Sequence, residues 1–393
     1  MNYVLFDDKT HQQLLPLTYT RPVSEIRIGI LTIAEKWKHY LKEEISYLTK
    51  EYLSFKYPSK IHVENCFING SVLPDSNLVK KIRALKINQR LMQGAEVLAW
   101  TSDSDENDYD RILEMAYEAI EYEGLLLKIN YPEDIFRLNG TALINDFELI
   151  NKGKESAEIN STNMIMGHNI FVEEGAVINC AILNSTTGPI YIGKDAEVME
   201  GSIIRGPFAL CEHSTLKMGA KIYGPTTIGP YSKVGGEVNN SVIFGYSNKG
   251  HDGFLGNSVI GEWCNIGADS NNSNLKNNYA EVRLWDYTKK SFRKTGLQFC
   301  GLIMADHAKC GINTMFNTGT VVGVSANVFG SGFPRNFVPD FAWGGASGFE
   351  TYLPAKAAEV AEKVFERRDK NFDEIERKIL EYVFELTLPY RNF

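Results

Sequence analysis

Along the middle of the chain an apolar residue recurs every six positions, with small or polar residues between. Ile192, Val198, Ile204, Leu210, Leu216, Ile222, Ile228 and Val234 form an unbroken series. A helix repeats every 3.6 residues and a half-buried strand every two, so neither produces this spacing. A prism-shaped coil does: each short strand turns a corner every six residues and sends one aliphatic side chain inward, and stacked coils bury those side chains against one another. The series opens earlier with Met166, Val172 and Ile178 and slips by two residues near Gly188 and Pro189. It resumes as Phe254, Ile260 and Ile266, then as Met304, Cys310, Phe316, Val322 and Val328. Glycine follows the inward residue at Gly193, Gly229, Gly261 and Gly323, as a tight corner without room for a Cβ requires. Residues 160–335 are therefore expected to be an all-β parallel β-helix of hexapeptide repeats.

The flanks have other periods. In residues 1–150, Tyr3–Phe6 and Ile61–Ile68 read as strands, while Leu31–Leu48, Leu78–Ala84 and Arg111–Glu123 read as helices. Such alternation implies a layered α/β domain. The acidic run Thr101–Asp108 reads as an exposed loop. In the polar stretch after Ile266, Ala280–Trp285 and Lys290–Arg293 alternate like the arms of a hairpin around Asp286–Lys289. Residues 350–393 turn helical, with Ala357, Val360, Ala361, Val364 and Phe365 on one face. This short C-terminal helical tail is expected to pack on the body or on a neighbouring subunit.

Composition narrows the classes. The 393 residues suffice for two cores, and 44% hydrophobic with 23% charged residues is the balance of a soluble globular protein. A net charge of -8 and the lack of a dense Lys/Arg block argue against a nucleic-acid partner. No stretch approaches a membrane span, and the opening Met1–Asp8 has neither a basic leader nor a long apolar run, so a cytoplasmic protein is expected. The six cysteines form no CxxC pair, which suggests reduced thiols rather than zinc or a disulfide framework.

The chemically loaded segment runs from Glu237 through Lys249-Gly250-His251-Asp252-Gly253-Phe254-Leu255-Gly256 to Asn265-Ile266-Gly267-Ala268. It resembles the acetyltransferase domain of the bacterial bifunctional N-acetylglucosamine-1-phosphate uridyltransferase/glucosamine-1-phosphate N-acetyltransferase family. That family carries Gly-His, an aromatic-Leu-Gly and Asn-Ile-Gly-Ala at this spacing. The resemblance implies a left-handed β-helix, His251 as catalytic base, and Glu237, Asn265 and Asn274 as substrate-binding residues. Lys221 falls where the family has a phosphate-binding arginine, and Asn239 where it has a second cation. Phe254 and Leu275 stand where it has tyrosines. The residue types suit the chemistry: an amino sugar is protonated at neutral pH and must lose a proton before attacking a thioester, and histidine is a suitable base. Asparagine bonds sugar hydroxyls without adding charge, although coil corners also favour it for backbone reasons. Lys249 reads as an exposed lysine that could supplement the phosphate site. Family members lay acetyl-CoA along the terminal coils between subunits of a trimer. The resemblance therefore implies a homotrimer, a small-molecule sugar phosphate as partner, and Ile312, Gly330 and Ser331 as cofactor-binding residues, with Arg335 or Lys309 near CoA phosphates. His168, His213 and His307 read as surface or packing residues.

In the same family the amino-terminal half is a nucleotidyltransferase that uses a nucleoside triphosphate and Mg²⁺. Its glycine-rich phosphate loop is replaced here by Asp7-Asp8, which would repel a triphosphate. Arg21, Arg27 and Lys36 are the remaining candidates for phosphate. In Asn69-Gly70-Ser71-Val72-Leu73-Pro74-Asp75, serine occupies the position of the metal aspartate, so Asp75 or Asp146 could serve only in a rebuilt loop. The leading expectation is an acetyl-CoA-dependent N-acetyltransferase on an amino-sugar phosphate with a divergent nucleotidyltransferase-like domain, bifunctional if that domain also transfers nucleotides. The alternatives are a sugar-1-phosphate nucleotidyltransferase with a structural β-helix and a non-catalytic sugar-nucleotide or acyl-CoA sensor.

Overall fold

The computed structural model describes residues 1–103 and 117–393. A six-stranded sheet forms the centre of the amino-terminal domain. Asn2–Phe6 lies between the parallel strands Ile45–Leu48 and Asn65–Asn69. Beyond Asn65–Asn69 come Glu96–Ser102 and Gln89–Gln93, each antiparallel to the strand before it, and then Glu118–Glu121, parallel to Gln89–Gln93. Among the described residues four helices accompany the sheet: α1 (Thr10–Gln13), α2 (Ile33–Leu41), α3 (Ser76–Arg83) and α4 (Pro132–Asn151). Of the Leu31–Leu48 helix only the first half forms. Lys42 adopts a left-handed conformation (φ 60°) that stops it, and Ile45–Leu48 pairs with Tyr3–Phe6 instead. The strand expected over Ile61–Ile68 begins at Asn65, whose side chain bonds both the amide and the carbonyl of His62 and so closes a turn ahead of it. Of Arg111–Glu123, residues 111–116 lie outside the described chain, and Glu118–Glu121 is a strand rather than a helix. Of the acidic run, Thr101 and Ser102 finish a buried strand, and 104–108 are outside the described residues.

The β-helix is a three-faced prism. Successive short strands cycle through three parallel sheets, and each coil pairs with the next in register. The first face runs from Ile170–Val172 to Phe337–Val338, the second from Val177–Ile178 to Ala342–Gly345, and the third from Met164–Met166 to Phe254–Gly256. All eight residues of the six-step series are buried in one apolar column. The corner glycines are needed for close approach: a Cβ on Gly229 would lie 1.7 Å from the Phe244 carbonyl oxygen, and one on Gly261 2.3 Å from an Asp306 carboxylate oxygen. Two residues of the series point elsewhere. Met166 is 44% exposed on the open first coil. Leu255, not Phe254, enters the column, because the coil between Ile228 and its partner Ile243 is three residues shorter than the eighteen that separate Leu210 from Ile228 and shifts the register.

The first face is covered. Its outward residues Val242, Phe244, Val259, Ile303, Ala305 and Val321 join one core with Ile26, Ile28, Ile135, Phe136 and Ala142 of the amino-terminal domain. Strands buried on both sides, such as Val242–Gly245, result. The hairpin forms as expected, Arg283–Asp286 against Ser291–Lys294, and Arg293 reaches back in a bidentate pair with Glu133 of α4 (both 2.6 Å). The tail consists of α5 (Pro354–Glu366) and α6 (Glu374–Leu386), folded onto the same chain. Its Phe365 stacks on Trp263 at 3.8 Å. Trp263 belongs to a column of corner aromatics, Tyr231, Tyr246 and Trp263, stacked 5.1 and 4.2 Å apart with His213 and His307 at the ends. All six cysteines are free, five of them buried. No helix among the described residues is long and apolar enough to cross a membrane.

Candidate active site

His251 occupies the corner between the second-face strand Asn248–Lys249 and the third-face strand Phe254–Gly256. The turn depends on Gly253, whose φ is +117° and whose Cβ, if it had one, would meet the Ser270 carbonyl oxygen at 2.2 Å. The result is an exposed imidazole held on an ordered corner. It borders a cleft of about 550 Å³ between the second face and the end of α5, which Asn265, Lys309 and Ile312 also line. Asn265 reaches it because the second-face register places Asn248, Asn265 and Lys309 on successive rungs. His251, Asn265 and Ile312 of the sequence-derived set are therefore brought together.

The remaining acceptor residues lie around the corner on the third face. Lys221, Glu237 and Phe254 stand side by side on neighbouring strands, with Tyr223, Asn239 and Gly256 two residues further along the same strands. Phe254 and Asn274 close over Gly256, where a Cβ would sit 2.5 Å from the ring and 2.7 Å from the amide nitrogen. Asn274 donates to Asn257 Oδ1 at 2.8 Å. The Tyr223 hydroxyl donates to Glu237 at 2.6 Å, and this bond to a carboxylate raises the phenol's pKa. Sequence reasoning passed over Tyr223; its alternation two residues after Lys221 was the available signal. Gly330 and Ser331 lie in the exposed loop before Phe337 and do not border the cleft.

Lys249 is the chief departure on this side. The sequence suggested an exposed lysine, but it occupies an interior position between Val234 and Ile266 and is only 2% exposed. Its ammonium donates to the His251 carbonyl, and burial pushes its pKa down to about 8. Lys309 is also pushed down to about 8 by burial.

The amino-terminal phosphate candidates are placed otherwise than expected. Arg21 is buried and pairs with Asp306 and, at 3.2 Å, with Glu262, both on the β-helix. Burial opposes its charge, but the two carboxylates prevail and hold the guanidinium pKa well above its ordinary value. Arg27 donates to the carbonyls of Phe244 and Ile30. Lys36 pairs with Asp146, which also accepts from the backbone N–H groups of Ile30 and Leu31. Each cation is thus committed inside the protein. The carboxylates do not fit a Mg²⁺ site either: Asp75 caps α3 by accepting from Leu78 N–H at 2.8 Å, and Asp7 accepts from Val23 N–H and the Thr49 hydroxyl. Burial raises the Asp7 pKa to about 7. No group of three or more potential metal ligands occurs among the described residues.

Residues 3–155 match the family described as sugar nucleotidyl transferase. A bifunctional sugar-1-phosphate nucleotidylyltransferase/acetyltransferase of Sulfurisphaera tokodaii is 28% identical over 264 residues, 65% of this chain and 59% of that protein. The chain is a divergent relative of these bifunctional proteins. The bifunctional protein GlmU of Methanocaldococcus jannaschii is 29% identical over 212 residues, 54% of this chain and 45% of the relative. The chain thus spans roughly half of the relatives' length. Among solved structures, the Bacillus cereus N-acyltransferase AntD with dTDP and 3-hydroxybutyryl-CoA is 13% identical, with a TM-score of 0.22 over 52% of this chain and 92% of that one. Nucleotidyltransferase-like sheet and parallel coils are both present in this GlmU-like relative, but the phosphate and metal groups expected of the first are committed to contacts within the chain.

Proposed function

We propose that the protein is an N-acyltransferase that moves the acetyl group of acetyl-CoA to the amine of an amino-sugar phosphate at His251. The observation that carries this is the corner itself: an exposed imidazole with Asn265 on one side and Phe254, Glu237 and Asn274 on the other, above an open cleft. His251 accepts a proton from the sugar ammonium. The freed amine attacks the thioester carbonyl and gives up a second proton to solvent as the C–S bond breaks, and the CoA thiolate takes the first proton back from the imidazolium. Base assistance of this kind is worth about 10²–10⁴ in rate. Asn265 and Asn274 orient the sugar through neutral hydrogen bonds, and Lys221 meets its phosphate. Gly330 and Ser331 keep a place in the proposal through the terminal-coil position alone.

A homotrimer belongs to the same reading. The third face carries exposed Met164, Ile165, Met166, Ile203 and Tyr223, an apolar strip that a second copy would cover, while the amino-terminal domain already covers the first face. A cytoplasmic setting accords with the free thiols.

The test is thiol release from acetyl-CoA with glucosamine-1-phosphate as acceptor, comparing wild type with His251→Ala. A loss of at least a hundredfold is expected; equal rates in the two proteins, or no release with any amino-sugar phosphate, sinks the proposal. The family match of residues 3–155 favours a second reading, nucleotidyl transfer. Adding a nucleoside triphosphate and Mg²⁺ and assaying pyrophosphate decides it, and the committed state of Arg21, Arg27 and Lys36 predicts none.

A further inference from the structure

The cleft beside His251 is unusual in its charge. Five cations line it, Lys217, Lys233, Lys309, Arg367 and Arg368, and none of its described lining residues is an aspartate or glutamate. This occurs in a chain whose net charge is -8. Three of the cations rise from the second face. Lys233, Asn248, Asn265 and Lys309 stand on consecutive rungs, so the outer lysines are separated by three strand spacings, about 14 Å. Lys217 lies two residues beyond Thr215, the strand partner of Lys233. The other two come from the opposite wall, at the end of α5, where Arg368 donates to Asn248 Oδ1 at 2.9 Å. The stacking of Phe365 on Trp263 fixes this wall against the coils.

The cations disturb one another. Burial, then Arg368, Lys217 and Arg367, lower the Lys233 pKa; burial and then Arg367 lower that of Arg368. Like charges gathered on two walls, with Glu197 near Lys233 as a counter-charge outside the cleft lining, are unfavourable by themselves and become favourable when an anion enters between them.

We propose that this cleft is a diphosphate site, in which Lys217, Lys233 and Lys309 of the coils and Arg367 and Arg368 of the tail hold a diphosphate ester whose reactive end lies at His251. The reactive-end part rests on the acyl-transfer reading. Two ligands carry that chemistry: the CoA moiety of the donor, and an amino sugar already linked to a nucleoside diphosphate. The assignment gives the C-terminal tail a role in ligand binding.

The first measurement is calorimetric titration of the full chain with inorganic pyrophosphate, which needs no turnover. Binding that weakens with salt is expected, with a loss of at least tenfold in the double variant Arg367→Gln/Arg368→Gln and also in Lys309→Gln, whose cation is on the coil and not the tail. Absence of pyrophosphate binding, or equal affinity in wild type and both variants, overturns the proposal. The KM arm then separates the two ligands. If CoA occupies the cleft, the variants raise KM for acetyl-CoA and leave that for acetyl-N-acetylcysteamine, a thioester without phosphates, unchanged. If the acceptor does, they raise KM for a nucleoside-diphosphate amino sugar and not for acetyl-CoA. Pyrophosphate binding without thiol release overturns the acyl-transfer reading and leaves the diphosphate site standing; thiol release without pyrophosphate binding does the reverse.

Discussion

Replacing Arg21 by methionine would test how the two domains are joined. The guanidinium reaches from the amino-terminal domain to Asp306, and the two side chains are 5% and 4% exposed. Asp306 also accepts from the Thr20 hydroxyl at 2.6 Å and from Glu262 N–H at 2.8 Å, so it retains two neutral donors when the arginine is lost. It then has no cation in an almost dry interface. Breaking one side of a buried pair is worth about 3–5 kcal/mol, because the remaining charge is stranded. Glu262, at 28% exposure, can turn to solvent, which places the expected loss near the lower figure, about 3 kcal/mol. Urea denaturation is the assay. Arg21→Met should lower the midpoint, and adding Asp306→Asn should recover part of the loss, giving a coupling of about 1 kcal/mol or more in the double-mutant cycle. A loss under about 1 kcal/mol, the magnitude of a surface pair, would show that water reaches this interface and that the domains are not docked as described.

Four other substitutions address the fold. Asp7 is protonated more readily folded than unfolded, so its burial opposes folding increasingly as pH rises from about 4 to about 7 and by a constant amount above that. Asp7→Asn should therefore raise the melting temperature at pH 8, by up to about 4 kcal/mol of stability, with the gain vanishing near pH 4; a pH-independent change would refute the assignment. For Lys249 the sign reverses: a folded pKa near 8 penalises the charged form at neutral pH, and the penalty fades between about 8 and 10.5. Lys249→Met should stabilise the protein at pH 7 and lose that advantage by pH 10 in parallel melts. Gly229→Ala forces a Cβ to within 1.7 Å of a backbone oxygen and should destabilise by about 3 kcal/mol or more, whereas Gly219→Ala, with open space around it and only left-handed backbone strain, should lose about 1 kcal/mol. Similar losses at the two positions would contradict the corner geometry.

What the sequence showed was what repeats. Eight residues six apart specify a buried column because every coil imposes the same condition, and four corner glycines report the close approach of the next coil. The hairpin was equally legible from alternation. Boundaries between unlike elements were not: Ile45–Leu48 continues the apolar content of the helix before it, and only pairing with Tyr3–Phe6 decides its state. Helix α4 was missed although Pro132, Glu133 and Asp134 form an ordinary helix start. At the site, the motif that carries the family resemblance grouped His251, Phe254 and Asn265, and the coils set them on either side of one corner. Arg21, Arg27 and Lys36 could not be placed this way, because their partners Asp306, Phe244 and Asp146 are between 110 and 285 residues away. A buried cation and a ligand-seeking cation look alike until the distant partner is in place.

The same long-range contacts explain why the candidate site has the shape it does. A β-helix alone offers smooth faces, on which an imidazole and a few asparagines would be exposed to water from every side. Here the coils around residues 262–266 and 306–310 are gripped from two directions. Arg21 holds Asp306 and Glu262 from the covered face, and Phe365 of α5 packs on Trp263 from the other side of the corner. Asn265 lies two residues from that tryptophan, and Lys309 three from that aspartate, so both anchors act on strands that reach the cleft. The amino-terminal domain thus has a structural effect on the candidate corner even with its phosphate candidates paired internally, and the tail supplies the second wall that turns a flat face into a cleft.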